Sequence, residues 1–162
     1  MNTDNQGCYT EHGVSGYGVA VKLSGQQEMD TAWVREMAEE MMVKVAALCM
    51  EAGAKCIGHI KAHVRTSAGT VKADTIGAAH GAFSQGSLEH PVNELFMAVN
   101  SIIQGIKEDQ VQKATLDGIH HVAQARNLSV VKEKEHAYFD EFDFAKSEEE
   151  FQKELADQLN QS

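Results

Sequence analysis

His59 and His63 are the first residues in this chain whose types suggest chemistry. They stand four apart in Lys55-Cys56-Ile57-Gly58-His59-Ile60-Lys61-Ala62-His63-Val64-Arg65. The alternation of that stretch predicts a strand. Cys56, Gly58, Ile60, Ala62 and Val64 fall on one face, and Lys55, Ile57, His59, Lys61, His63 and Arg65 on the other. At about 3.3 Å per residue the two histidine Cα atoms lie about 13 Å apart. Two imidazoles so separated do not share one zinc ion, whose Zn–N distance is about 2.1 Å. A metal site there needs ligands from neighbouring strands, such as Asp74. The second property of the face is charge. Lys55, Lys61, Arg65 and Lys72 lie on or near it, a basic and imidazole-bearing patch on an acidic protein. Such a patch suits an anionic ligand, an acidic partner surface or the chain's own acidic residues 140–162. The competing reading is a solvated polar sheet face.

Other groups are weaker candidates. Cys8-Tyr9-Thr10-Glu11-His12 brings a thiol, a carboxylate and an imidazole into five residues, a set able to hold a soft metal ion loosely. His80, in a small-residue loop with His90, is a further potential ligand or proton carrier. His120 and His121 are adjacent on a predicted helix and diverge by about 100°, which predicts one buried and one exposed. Cys49 and Cys56 are predicted to face the core as inert small hydrophobes. No HExxH, nucleophile elbow or glycine-rich phosphate loop in its required context occurs, so no catalytic residue and no cofactor is assigned.

The elements that position these groups follow from periodicity. Tyr17, Val19, Val21 and Leu23 share one face of a first strand, and Gly25-Gln26-Gln27 reads as a turn. A helix follows, capped by Asp30 or Thr31, with a methionine-rich inner stripe (Met37, Met41, Val45, Cys49) and Gly53 placed to end it. The histidine strand turns at Ser67-Ala68-Gly69 and returns through Thr70–Ile76 as a hairpin. Residues 77–91 read as a small-residue loop, with Phe83 and Leu88 as anchors. Residues 92–106 fit either a helix or a central strand apolar on both faces, and periodicity alone slightly favours the helix. Gln110–Arg126 is helical, with Gly118 weakening it. Ser129–Lys134 is an edge strand blunted by charge. Ser147 with Glu150 forms a capping box for a short tail helix. The expected fold is α+β: a two-layer sandwich, mostly antiparallel sheet packed by two helices, plus a C-terminal tail helix. Residues 1–15 are expected to be a flexible leader, 16–139 the α+β domain and 140–162 an acidic tail.

Composition narrows the setting. At 162 residues the chain suits one domain. Its net charge is −10, of which residues 140–162, with eight acids and two bases, carry −6. That balance argues against nucleic acid or an anionic membrane as partner. No apolar run is long enough to span a bilayer. Three cysteines without an export signal suggest reduced thiols and a cytoplasmic setting.

One resemblance emerges along the hairpin. Ala52-Gly53-Ala54-Lys55-Cys56-Ile57-Gly58-His59-Ile60-Lys61-Ala62, then Gly69-Thr70-Val71-Lys72-Ala73-Asp74, then Leu95-Phe96-Met97-Ala98-Val99-Asn100-Ser101-Ile102 resemble the region beyond the nucleotide domain of CobW-type P-loop GTPases. The likeness covers about residues 17–135 and implies that 94–103 is a strand, the reading adopted over the helix. CobW-type proteins are linked to cobalamin synthesis and metal delivery. This chain lacks the GxxxxGK[ST] loop and the Cys-x-Cys-Cys motif, so neither nucleotide hydrolysis nor metal transfer is implied. What the resemblance implies is a stand-alone accessory domain working beside a protein partner in metal or corrinoid metabolism. Two other readings stand beside it. One is a small enzyme or ligand-binding protein that uses the His59, Lys61, His63 face with Lys72 and Asp74. The other is a structural homo-oligomer.

Overall fold

The computed structural model describes residues 13–140 and the single position 156. The chain runs β1 (Val14–Met29), α1 (Thr31–Glu51), β2 (Cys56–Thr66), β3 (Gly69–Thr75), a 3-10 turn (Ala78–His80), β4 (Phe83–Leu88), β5 (Val92–Gln104), α2 (Glu108–Ala125) and β6 (Ser129–Asp140). The strands form one six-stranded sheet in the order β4-β3-β2-β5-β1-β6, and every adjacent pair is antiparallel. The α+β architecture is as expected. The tail helix, the capping box and the Cys8/His12 metal candidate lie outside the described residues.

Both helices pack on one face of the sheet and against each other. α1 lies over β2, β3 and β4, and α2 over β1, β5 and β6. Asp30 caps α1 by accepting a hydrogen bond from the Trp33 amide at 2.9 Å. Beyond Ala52, Gly53 takes φ +104°, a conformation that favours glycine at a helix end. Met37, Met41 and Met42 are fully buried, so the methionine stripe is core, as expected. Gly118, a weak helix former, is explained by the crossing of the helices. A Cβ there would come within 2.6 Å of Val45 Cγ2 and 3.2 Å of Val45 Cα.

Side chains from the helices and β1 tie down the sheet edges. Arg35 donates to Ser84 Oγ at 3.0 Å and to the Ser84 carbonyl at 2.9 Å, while Ser84 donates to Glu39 at 2.5 Å, fastening β4 to α1. At the opposite edge the Tyr17 hydroxyl donates to Glu135 Oε2 at 2.6 Å, and Gln112 and Lys132 also reach that carboxylate.

Several expectations are corrected. β1 begins at Val14, within the stretch read as leader. Gly25–Gln27 is not a turn; it lies in the irregular, exposed part of β1 between the pairings Ser24–Glu94 and Met29–Val92. Residues 77–91 are not merely a loop, because Phe83–Leu88 pairs with β3 as an edge strand. Phe83 is no anchor, at 72% exposure, whereas Leu88 packs on the core. A register shift between Ile57 and His59 turns Ile57 inward, so Ile57 does not share the His59 face. Cys56 is half-buried and disulfide-bonded rather than an inert thiol, which also corrects the expectation that the cysteines are reduced. Cys49 alone of the two is a buried free cysteine, its thiol pushed up to about 12 by burial. His120 and His121 are both exposed. The strand reading of 94–103 holds, within β5. No helix among the described residues is long and apolar enough to cross a membrane.

Candidate functional site

The site begins with alternation. Because α1 and α2 cover one face of the sheet, every second residue of the strands points away from them, and no described element covers that outer face. Cross-strand register orders its side chains into rows. One row runs Phe83, Asp74, Lys61, Asn100, Gly18, His136. The next runs Gln85, Lys72, His63, Ala98, Ala20, Lys134, and the third Ser87, Thr70, Arg65, Phe96, Lys22, Val131. His59 pairs with Ile102 beside the first row.

All five residues singled out from sequence as a binding face (His59, Lys61, His63, Lys72 and Asp74) share this surface, in two neighbouring groups. His59 Nε2 lies 3.9 Å from Asp74 Oδ2, Lys61 is the register partner of Asp74, and His63 is that of Lys72. Burial pushes the His59 imidazole below its ordinary value, the neighbouring Lys61 charge adds to this, and Asp74 opposes it. A His–Asp pair at this distance on an open sheet does not make a metal site. Among the described residues no group of three or more His, Cys, Asp or Glu side chains is arranged to hold a metal ion. His80 sits elsewhere, in the 3-10 turn. It lines a groove of about 500 Å³ with Lys55, Met50 and Ile76.

Residues missed from sequence change the character of the site. The outward positions of β5, a strand inside the sheet, read Phe96, Ala98, Asn100, Ile102, all exposed. An antiparallel sheet with one solvated face ordinarily alternates apolar inward with polar outward. Here Phe96 is 38% and Ile102 39% exposed, with Phe83 and Val131 toward the two edges. The signal was present in the sequence as a strand apolar on both faces, the same feature that made a helix plausible. Around these side chains stand Lys61, Arg65 and Lys72, none of which forms an ion pair among the described residues. Lys22 is already engaged, 3.0 Å from Glu94 and 6.0 Å above the Phe96 ring. At the Phe96 end the surface dips into an open groove of about 810 Å³ bordered by Arg65, Ser67, Pro91, Glu94 and Glu133.

No protein-family model matches the chain, and no curated protein matches it. Solved structures give a distant likeness. A hydantoinase/carbamoylase family amidase from Burkholderia ambifaria aligns at TM-score 0.43 and 12% identity, over 83% of this chain and 31% of that one. AtUAH in complex with glyoxylate aligns at TM-score 0.39 and 12% identity, over 77% and 29%. An amidase of the same hydantoinase/carbamoylase family from Burkholderia vietnamiensis aligns at TM-score 0.35 and 16% identity, over 88% and 33%. The chain thus spans about a third of the length of these proteins, and the likeness carries nothing into the function proposed below.

Proposed function

We propose that this domain is a non-catalytic interaction module whose outer sheet face docks an acidic, Phe- or Leu-bearing segment of a protein partner. The observation that carries the reading is the pairing of two surface properties. Exposed apolar side chains on a strand inside the sheet, Phe96 and Ile102, lie among the cations Lys61, Arg65 and Lys72, which form no ion pair among the described residues. Apolar contact supplies the affinity of such a face, and charge selects the partner and speeds encounter. A second copy of the chain is a poor occupant. A two-fold contact through this face would set the cationic patch against itself. The partner class implied by the CobW-type resemblance, a protein of metal or corrinoid metabolism, remains part of this proposal and rests on the quoted sequence motifs alone.

The test is selection of a display library of random 16-residue peptides on the full-length protein. The expected winners are rich in Asp and Glu interleaved with Phe or Leu, and they lose binding to the Arg65→Glu/Lys72→Glu variant. Winners without acidic character, or acidic winners that bind this variant equally well, would refute the proposal. Circular dichroism of the variant checks that its fold is retained.

A further inference from the structure

The outer face has a candidate occupant within the same chain. We infer that residues 141–162 dock intramolecularly on the outer face, so that a partner must displace them. This rests on the reading of the face as a docking surface for acidic, apolar segments. Three observations lead to it.

The first is chemical complementarity. Residues 141–162 hold seven acids and two bases, and among them stand Phe142, Phe144, Phe151, Leu155 and Leu159. Carboxylates interleaved with large apolar side chains are what Lys61, Arg65 and Lys72 around Phe96 and Ile102 would select. That segment of 22 residues carries −5 of the net −10, so the acidity is concentrated where it would meet the cations.

The second is the point of departure. The described part of β6 reaches Asp140, the register partner of Val14, at the end of the sheet where Ile102 pairs with Gly16 and His59 with Ile102. Residue 141 therefore starts from an end of the face that the segment would cover. The third is reach. Six strands at about 4.8 Å spacing make a face about 24 Å wide. The 22 residues from 141 to 162 span about 70 Å when extended and about 33 Å as a helix. Covalent attachment holds such a segment at an effective concentration in the millimolar range, so even weak contacts suffice to occupy the face.

The experiment uses the full-length chain and nuclear magnetic resonance of its backbone amides. In low salt, charge reversal by Lys61→Glu/Lys72→Glu is expected to shift the amide signals of 141–162 toward random-coil positions while signals from α1 and α2 stay in place. Tail signals that ignore the reversal would overturn the inference, as would a tail shift that depends on protein concentration, which would mean docking on another copy. A Phe142→Ser/Phe144→Ser variant, its fold checked by circular dichroism, changes only residues outside the described ones and supplies a second readout. It should bind the selected acidic peptides about tenfold more tightly than wild type, the factor expected if about nine-tenths of wild-type faces are occupied. Equal affinity would sink the intramolecular occupant and leave the proposed function standing. Tail shifts without any acidic peptide binder would do the reverse.

Discussion

The two faces of the sheet are made from the same strands, and β5 shows how differently they are used. Its inward residues Leu95, Met97, Val99 and Ile103 are 0–1% exposed beneath the helices. Its outward residues Phe96, Ala98, Asn100 and Ile102 are covered by no described element. On the covered side, packing decides which residues are tolerated. Gly118 is needed where α2 crosses Val45, and the methionines fill the space between helix and strands. On the open side nothing in the described fold requires an aromatic or a β-branched residue, and yet both occur on a strand inside the sheet. Apolar residues left partly exposed on a cationic face are better explained by something that binds there than by the fold itself.

The contrast can be tested most strongly within β5 itself. Leu95→Ala is expected to cost about 2–5 kcal/mol in urea unfolding, while its neighbour Phe96→Ala costs about 1 kcal/mol or less. Comparable losses would mean that the outer face is part of the folded core and would break the comparison. Next in size is Gly118→Ala. Although alanine is the better helix former by about 1 kcal/mol, the variant is expected to lose about 1–3 kcal/mol, because the new methyl meets the Val45 backbone as well as its side chain. A stabilised variant would show that the helix layer is looser than described.

A smaller effect is expected at the β6 edge. The Tyr17 hydroxyl, chiefly, together with Lys132, holds the Glu135 carboxyl below its ordinary value. A carboxyl depressed in the folded state contributes stability above its unfolded value and loses it as pH falls through the folded value. Acid unfolding monitored from pH 6 to 2 should therefore have a shallower slope in Tyr17→Phe than in wild type, and identical slopes would remove this tie from the account. Smallest is the effect at His59 on the open side. Its folded value lies below the ordinary 6.5, so between the two the unfolded chain binds more protons and acidification lowers stability. The imidazole proton signal should titrate below 6.5, move upward in Lys61→Ala and move further down in Asp74→Asn. A midpoint unmoved by Lys61→Ala would mean that these side chains do not share a surface.

Much of the covered layer was legible from local pattern. The helix at 31–51, its Asp30 cap and the Gly53 stop follow from propensities acting within a few residues. The hairpin of β2 and β3 follows from alternation around a tight turn. Where the local pattern failed, a distant neighbour decided. Phe83–Leu88 carries too many small residues to read as a strand, and it becomes one by pairing with β3 and by the hold of Arg35 on Ser84. Ile57 reads as a companion of His59 until the register shift turns it inward. The candidate face was partly legible. His59, Lys61 and His63 share a strand face by simple period-two reasoning, and Lys72 and Asp74 join them through the hairpin.

By itself, then, the sequence determined the residues of one basic strand face, the amphipathic helices and the segregation of acidity into residues 140–162. All of these depend on spacing along the chain. The expected two-layer sandwich already put both helices on one side of the sheet, but the tertiary structure alone decided which face of each strand they cover, which leaves the basic face open, and that Phe96 and Ile102 stand among its cations. Both depend on strand order and register. Those are set by contacts between residues far apart in sequence, such as Ala98 with His63 and Ala20, which no local periodicity encodes.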